Sequence, residues 1–206
     1  MVTVFSDLDM ISLENYNSWL EKASTQRRDY VLKYRFYKDR LLSISAYKLL
    51  CYTLKNTNVE FYYNEYRKPM LKEGGECFNM THCDGLVACI TDHSPVGIDA
   101  ERIKSYPRQI LDKVFTKMEI QQIDSSKNPD YTFLKLWTLK ESYIKALGLG
   151  MYFPLHDVEF ILLGNDIICS DKKYLFSSYT VGDCIISVCS QDSQSLFIVG
   201  MDELSR

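Results

Sequence analysis

Two short stretches hold residues whose types and spacing could do chemistry. In "VGIDAE", Asp99 and Glu101 stand two positions apart at the end of a strand-like run. The two-residue period of a strand puts both carboxylates on one face, with Cα atoms roughly 6–7 Å apart. Adjacent acids on one face repel each other unless a cation or a base neutralises them. A solvated strand end is the plainer reading. The chemical one is a hard cation such as Mg²⁺, which prefers oxygen ligands and keeps some of its waters. In "WTLKESYIKALG", a helical period collects Phe133, Leu136, Trp137, Ile144 and Leu147 on one face. Lys140 projects near the centre of that apolar face, Glu141 lies at its edge, and Lys145 follows one turn later on the same side. Burying an unpaired charge costs several kcal/mol, so the spacing predicts counter-charges opposite this helix. Glu141 is then a natural third ligand beside Asp99 and Glu101. The plainer reading takes each residue alone: a weak Glu141–Lys145 pair at i,i+4 spacing, and Lys140 reaching solvent on its long stem.

Other candidates are less specific. His82, in "FNMTHC", reads as a structural histidine or as an anion contact through its ring N–H. A His82–Cys83 nucleophile lacks an evident third member. Lys68 stands beside Pro69 in a fixed turn, from which its ammonium could reach a nucleotide. Residues 21–50 carry eight Lys/Arg against three acids, a pattern shared by solvated helix faces and by phosphate sites. The seven cysteines include no CxxC pair. Cys77, Cys83 and Cys89 recur every six residues in apolar, strand-like surroundings, and they read as buried thiols rather than as a metal or disulfide framework.

These residues need elements to hold them. "VTVF" opens as a strand, and residues 12–55 are helix-forming. "STQRRDYVLKYRFYKDRLLSISAYKLLCYTL" holds two helices, with Ser24 or Thr25 as a cap. "VEFYYNEYRKPML" is aromatic and β-prone, with Lys68-Pro69 ending its strand. "ECFNMTHC", "GLVACITD" and "PVGIDAE" predict three strands, the first two joined by the hairpin dipeptide Asp84-Gly85. "RQILDKVF" and "TKMEIQQI" return to helix, the second with Thr116 and Glu119 at capping-box spacing. After a turn at "SSKNPD", a long helix runs from about Asp130 to Leu147 and ends at Gly148. The last fifty residues predict an antiparallel sheet. "DGLVACITDHSPVGID" and "GDCIISVCSQDSQSLFIVG" are loosely alike, which is weak evidence for a duplication.

A length of 206 residues suits one domain or two small ones sharing an interface, and 46% hydrophobic residues can bury a core. The net charge of −3 gives no argument for nucleic acid as a partner. The opening "MVTVFSDLDMISLENY" lacks the basic flank and apolar run of a signal peptide, and no stretch approaches the ~18–20 apolar residues of a membrane span. The expectation is a reduced, cytoplasmic protein that engages no membrane.

The order of these pieces resembles the 4′-phosphopantetheinyl transferases of the large, surfactin-synthetase-activator type. That family carries G-(I/V)-D-(I/L/V)-E, matched here by Gly97-Ile98-Asp99-Ala100-Glu101. Some forty residues later it carries W-x-x-K-E-(A/S)-x-x-K, matched by Trp137, Lys140, Glu141, Ser142 and Lys145. Upstream stand a G-K-P element, here Lys68-Pro69 in "YRKP", and an N-(I/L)-S-H element, here Asn79-Met80-Thr81-His82. "FTKMEI" resembles the family's F-(S/T)-x-x-E step, and the correspondence spans roughly residues 25–150. Ala100 departs from a bulky aliphatic, Thr81 from a serine while keeping its hydroxyl, and Arg67 from the glycine before Lys68-Pro69.

The resemblance implies a mixed α/β (α+β) fold of two pseudo-twofold-related subdomains, each a small antiparallel sheet packed with helices. The halves would be residues 1–101 and 102–206, with coenzyme A as donor substrate in the cleft between them. It implies transfer of the 4′-phosphopantetheine arm to a serine of an apo acyl, peptidyl or polyketide carrier protein, with release of adenosine 3′,5′-bisphosphate. Mg²⁺, or Mn²⁺ in its place, would sit on Asp99, Glu101 and Glu141. Glu141 or Glu101 would be the general base and Lys145 would serve the leaving phosphate. Lys140 would hold the helix and touch phosphate. Lys68, Thr81 and His82 would bind the nucleotide end, and Arg27, Arg28 or Arg40 the 3′-phosphate. Segment 105–122, which mixes basic and apolar residues, would suit an acidic carrier, and a monomer would suffice. The competing classes are a Mg²⁺-dependent nucleotide phosphohydrolase and a non-catalytic binder of coenzyme A or carrier proteins on the same fold.

Overall fold

The computed structural model describes residues 1–205. The chain begins with β1 (Val2–Phe5) and three helices, α1 (Leu13–Lys22), α2 (Thr25–Leu32) and α3 (Tyr37–Leu54). A ribbon of β2 (Phe61–Tyr63) and β3 (Pro69–Leu71) leads to β4 (Cys77–Cys83), β5 (Leu86–Asp92) and β6 (Gly97–Arg102). Helices α4 (Leu111–Val114), α5 (Lys117–Ser125) and α6 (Pro129–Leu147) follow. A second ribbon, β7 (Phe160–Leu163) and β8 (Asp166–Cys169), precedes β9 (Leu175–Val181), β10 (Cys184–Ser190), β11 (Leu196–Ile198) and α7 (Met201–Leu204).

Local chemistry sets the helix ends. Ser24 caps α2 by accepting from the Arg27 N–H. Thr116 and Glu119 close a reciprocal capping box on α5. Asn128 caps α6 with Pro129 at its first position, and Gly148 ends that helix in the left-handed conformation, φ +73°. The segment read as one strand before Lys68-Pro69 is instead two strands around a turn. Asn64 makes that turn, its side-chain oxygen accepting from the N–H groups of Tyr66 and Lys68, so Pro69 begins β3 rather than ending a strand.

Two sheets carry the core. The first has the order β11-β1-β5-β4 and the second β6-β10-β9. Period-two alternation divides their faces. On β5, Leu86, Ala88 and Ile90 face a central seam, while Val87 and Cys89 face α1 and α3. On β10, Cys184, Ile186 and Val188 face the same seam, while Ile185 and Cys189 face the layer built on α6. Every residue of β10 is buried, as a strand covered on both sides must be. The layers therefore run helix, sheet, sheet, helix.

The C-terminal strands do not form the single antiparallel sheet expected of them. β7 and β8 pair only with each other, and β11 crosses over to lie parallel to β1, with Val2 opposite Leu196. β6 makes the converse move, leaving its hairpin neighbours to pair antiparallel with β10, Asp99 opposite Ser187. The halves are interlaced, each giving a strand to the other's sheet, and the boundary expected between residues 101 and 102 falls inside β6. Periodicity marks a strand and its faces, but not its partner.

Candidate active site

The site begins with a missing side chain. A Cβ on Gly97 would lie 1.9 Å from the Ser142 carbonyl oxygen and 2.5 Å from the Ala146 nitrogen. Only glycine lets β6 approach α6 this closely. Residues 97, 99 and 101 share one face of the strand, so the approach carries Asp99 and Glu101 toward the helix that bears Glu141 and Lys145. The Lys145 ammonium stands 2.6 Å from Asp99 Oδ1, and it donates to the Ile98 carbonyl at 3.2 Å and to Thr81 Oγ1 at 3.5 Å. Lys145 thus turns to Asp99 and not to Glu141, its neighbour one turn back.

The acids repel one another. Burial raises the Asp99 pKa, with Lys145 opposing and Glu101 adding to the rise. Burial also raises that of Glu141, then Asp99, with Lys145 opposing and Glu101 reinforcing. Asp99 Oδ2 is buried with no hydrogen-bond partner. Among the described residues, no three His, Cys, Asp or Glu side chains are already gathered around one point as an ion requires. The ammonium of Lys145 stands against Asp99 where a cation would. Asp99, Glu101 and Glu141 are hard-oxygen donors of the kind Mg²⁺ takes, with Lys145 set against Asp99 at 2.6 Å and Lys104 against Glu101 at 3.2 Å.

Two residues expected at phosphate or nucleotide are engaged by the protein itself. Lys140 is fully buried, and its ammonium lies 2.8 Å from Glu119 Oε2 and donates to the carbonyls of Leu155 (2.8 Å) and Val158 (2.6 Å). It holds α6 to α5 and to the chain entering β7, and it cannot reach a phosphate from there. The counter-charge demanded by the apolar stripe is Glu119. Lys68 donates to the carbonyls of Lys145 (2.6 Å), Val96 (3.2 Å) and Ala146 (3.3 Å), a cation on the open C-terminal end of α6. Burial lowers its pKa. Its donors are engaged there, not free for a nucleotide.

The other candidates lie on β4, α2 and α3. Thr81 is buried against Asp99, while His82 alternates to the exposed face of β4. Desolvation, then the charges of Lys145 and Arg27, lower the His82 pKa. Arg27 is a buried guanidinium that donates to Ser43 and stacks with Tyr30 and Tyr47 at 5.1 and 5.3 Å. It has no carboxylate partner among the described residues, and its Nε is unpaired. Arg28 projects half-buried from the next position of α2, and Arg40 donates to the Tyr34 carbonyl at 2.7 Å.

Three residues that hold the site escaped sequence reasoning. Glu119 was assigned only a cap, Asn79 accepts from the Ile98 N–H at 2.9 Å across the seam, and Asn64 donates to the Gly148 carbonyl at 3.0 Å. Glu119 reaches both Lys140 and the Phe160 N–H, and such long-range bonds leave no periodic trace. A groove of about 1290 Å³ is lined by Trp19, Tyr47, Lys48 and Phe197, and none of the motif acids borders it.

Comparison with known proteins agrees with the motif order. Residues 95–189 match the model of the 4′-phosphopantetheinyl transferase superfamily. The chain is similar to 4′-phosphopantetheinyl transferase gsp of Aneurinibacillus migulanus, 34% identical over 149 residues, or 68% of this chain and 62% of that protein. It is similar to 4′-phosphopantetheinyl transferase Sfp of Bacillus subtilis (strain 168), 35% identical over 108 residues, or 50% of this chain and 48% of that protein. Among solved structures, Thermotoga maritima holo-[acyl-carrier-protein] synthase overlays 46% of this chain and 61% of its own with TM-score 0.41 and 20% identity. The chain spans less than two thirds of the length of these curated relatives. Its two motifs meet across β6 and α6 inside residues 95–189, the segment that matches the 4′-phosphopantetheinyl transferase superfamily.

Proposed function

We propose that the chain transfers the 4′-phosphopantetheine group of coenzyme A to a serine hydroxyl of an apo carrier protein and releases adenosine 3′,5′-bisphosphate. The observation that carries this reading is the close approach of β6 to α6, which sets the Lys145 ammonium on Asp99 and brings Glu141 under the influence of the Asp99 and Glu101 charges. Mg²⁺ or Mn²⁺, held by Asp99, Glu101 and Glu141, would neutralise charge at the phosphorus under attack. Glu141 accepts the serine proton; burial and neighbouring acids raise its pKa toward the working range of a base. Glu101 is the second candidate for that role. Lys145, once its ammonium leaves Asp99, donates to the departing phosphate. Arg27 offers an unpaired Nε to the 3′-phosphate, with Arg28 beside it on α2, Arg40 on α3 and His82 donating from β4. Coenzyme A lies between the two halves, and one copy of the chain suffices in the cytoplasm. Among the described residues no helix is long and apolar enough to cross a membrane.

The test is intact-protein mass spectrometry of apo acyl, peptidyl and polyketide carriers incubated with this chain, coenzyme A and Mg²⁺. A phosphopantetheine mass gain is expected, abolished by a chelator and by Glu141→Gln. No gain on any carrier would refute the transfer, and coenzyme A hydrolysis without a carrier would point to a phosphohydrolase.

A further inference from the structure

The seam between the sheets brings two thiols together. Cys83, the last residue of β4, and Cys184, the first of β10, hold their sulfurs 3.5 Å apart although 101 positions separate them in the chain. Both are free and buried, 8% and 2% exposed. The contact is built by the turns beside them. Arg102 ties the two turns, its guanidinium 2.6 Å from Asp183 and 3.4 Å from Asp84, and Lys38 adds a second cation 2.6 Å from Asp84. Gly85 lies at φ +118°, a backbone conformation that a side chain would strain, and it lets the chain turn directly beside Cys83.

We propose that Cys83 and Cys184 are an oxidisable pair, which a peroxide converts to a disulfide that bolts the two halves together. The first step forms a sulfur–oxygen bond: the Cys184 thiolate attacks hydrogen peroxide, breaks its O–O bond and leaves a sulfenic acid and hydroxide. In the second, the Cys83 sulfur displaces the sulfenic oxygen as water, its own proton leaving with it. Both sulfurs are oxidised, the peroxide is reduced, and the net products are one disulfide and two waters. Cys83 donates its S–H to Cys184, which lowers the Cys184 pKa and favours it as the first sulfur to react. Peroxide is small, and the adjoining Gly182-Asp183 turn is exposed. The sulfurs need only close from 3.5 Å to the bonded distance of about 2.0 Å. This proposal does not depend on the transfer reading.

The test treats the reduced full chain with hydrogen peroxide, unfolds it, alkylates the remaining thiols and weighs it. Five of the seven cysteines should label, and an unreduced digest should link the peptides of Cys83 and Cys184. Closing a loop of this length should raise the melting temperature by roughly 5–15 °C, reversibly with dithiothreitol. Cys83→Ser and Cys184→Ser should show neither the link nor the rise, and Cys→Ala variants serve if a serine is not tolerated in the seam. Seven labelled cysteines after oxidation, a link between other cysteines, or oxygen added to one sulfur without a link would each overturn the pair. A link with no change in melting temperature would overturn its bolting role.

Discussion

Glu141 is half-buried, and its pKa is raised first by burial and then by Asp99, with Lys145 opposing and Glu101 adding. The folded chain therefore holds a proton there more tightly than the unfolded chain does. It follows that this group's contribution to stability falls as pH rises from the ordinary carboxylate range through the raised value. Glu141→Gln should abolish transfer and yet melt above wild type in metal-free buffer at pH 7, the gap closing as pH falls toward the ordinary glutamate range. A glutamine variant that melts lower at pH 7 would mean Glu141 has a stabilising partner. Lys140 is the opposite case, since its charge is spent on Glu119 in a dry interior. Lys140→Met should leave that carboxylate uncompensated and cost about 3–5 kcal/mol in urea unfolding, much of it recovered by adding Glu119→Gln. Sequence reasoning found the burial of Lys140, because an apolar stripe repeats every turn. It missed the partner, because Glu119 lies on another helix and no period links the two.

The contact of β6 with α6 turns on Gly97, where no side chain fits between strand and helix backbones. Gly97→Ala must push them apart, and a loss of about 3 kcal/mol is expected in denaturant unfolding. A chain that unfolds at the wild-type midpoint would show that the two backbones part freely. Capped ends were the legible part of this scale. Ser24, Thr116 and Gly148 all act within a turn of their own position, where local hydrogen bonding decides the outcome. The turn between β2 and β3 was not legible. It rests on Asn64 and on Arg67 held at φ +65°, a conformation glycine would take without strain and arginine takes at some cost.

Across the whole molecule, segment 105–122 presents Arg108, Lys113, Lys117 and Met118 outward while Leu111, Val114 and Phe115 pack inward. If an acidic carrier docks there, Arg108→Glu and Lys117→Glu should each raise the carrier KM about fivefold, within the range of a rim charge, and leave coenzyme A binding unchanged. A carrier KM untouched by both would remove the surface from the reading. The likeness between residues 84–99 and 182–200 hinted at two related halves but gave no sign that β6 and β11 change sheets, because strand pairing is decided by what the seam buries. That exchange bears on how the chain comes into being. A ribosome releases β1 long before its neighbour β11, so one edge of β1 stays bare while everything between them is made. Protease resistance should therefore appear in one late step, as residues 196–204 emerge and Leu204 enters the core, and a chain stopped after Ser190 should be digested throughout.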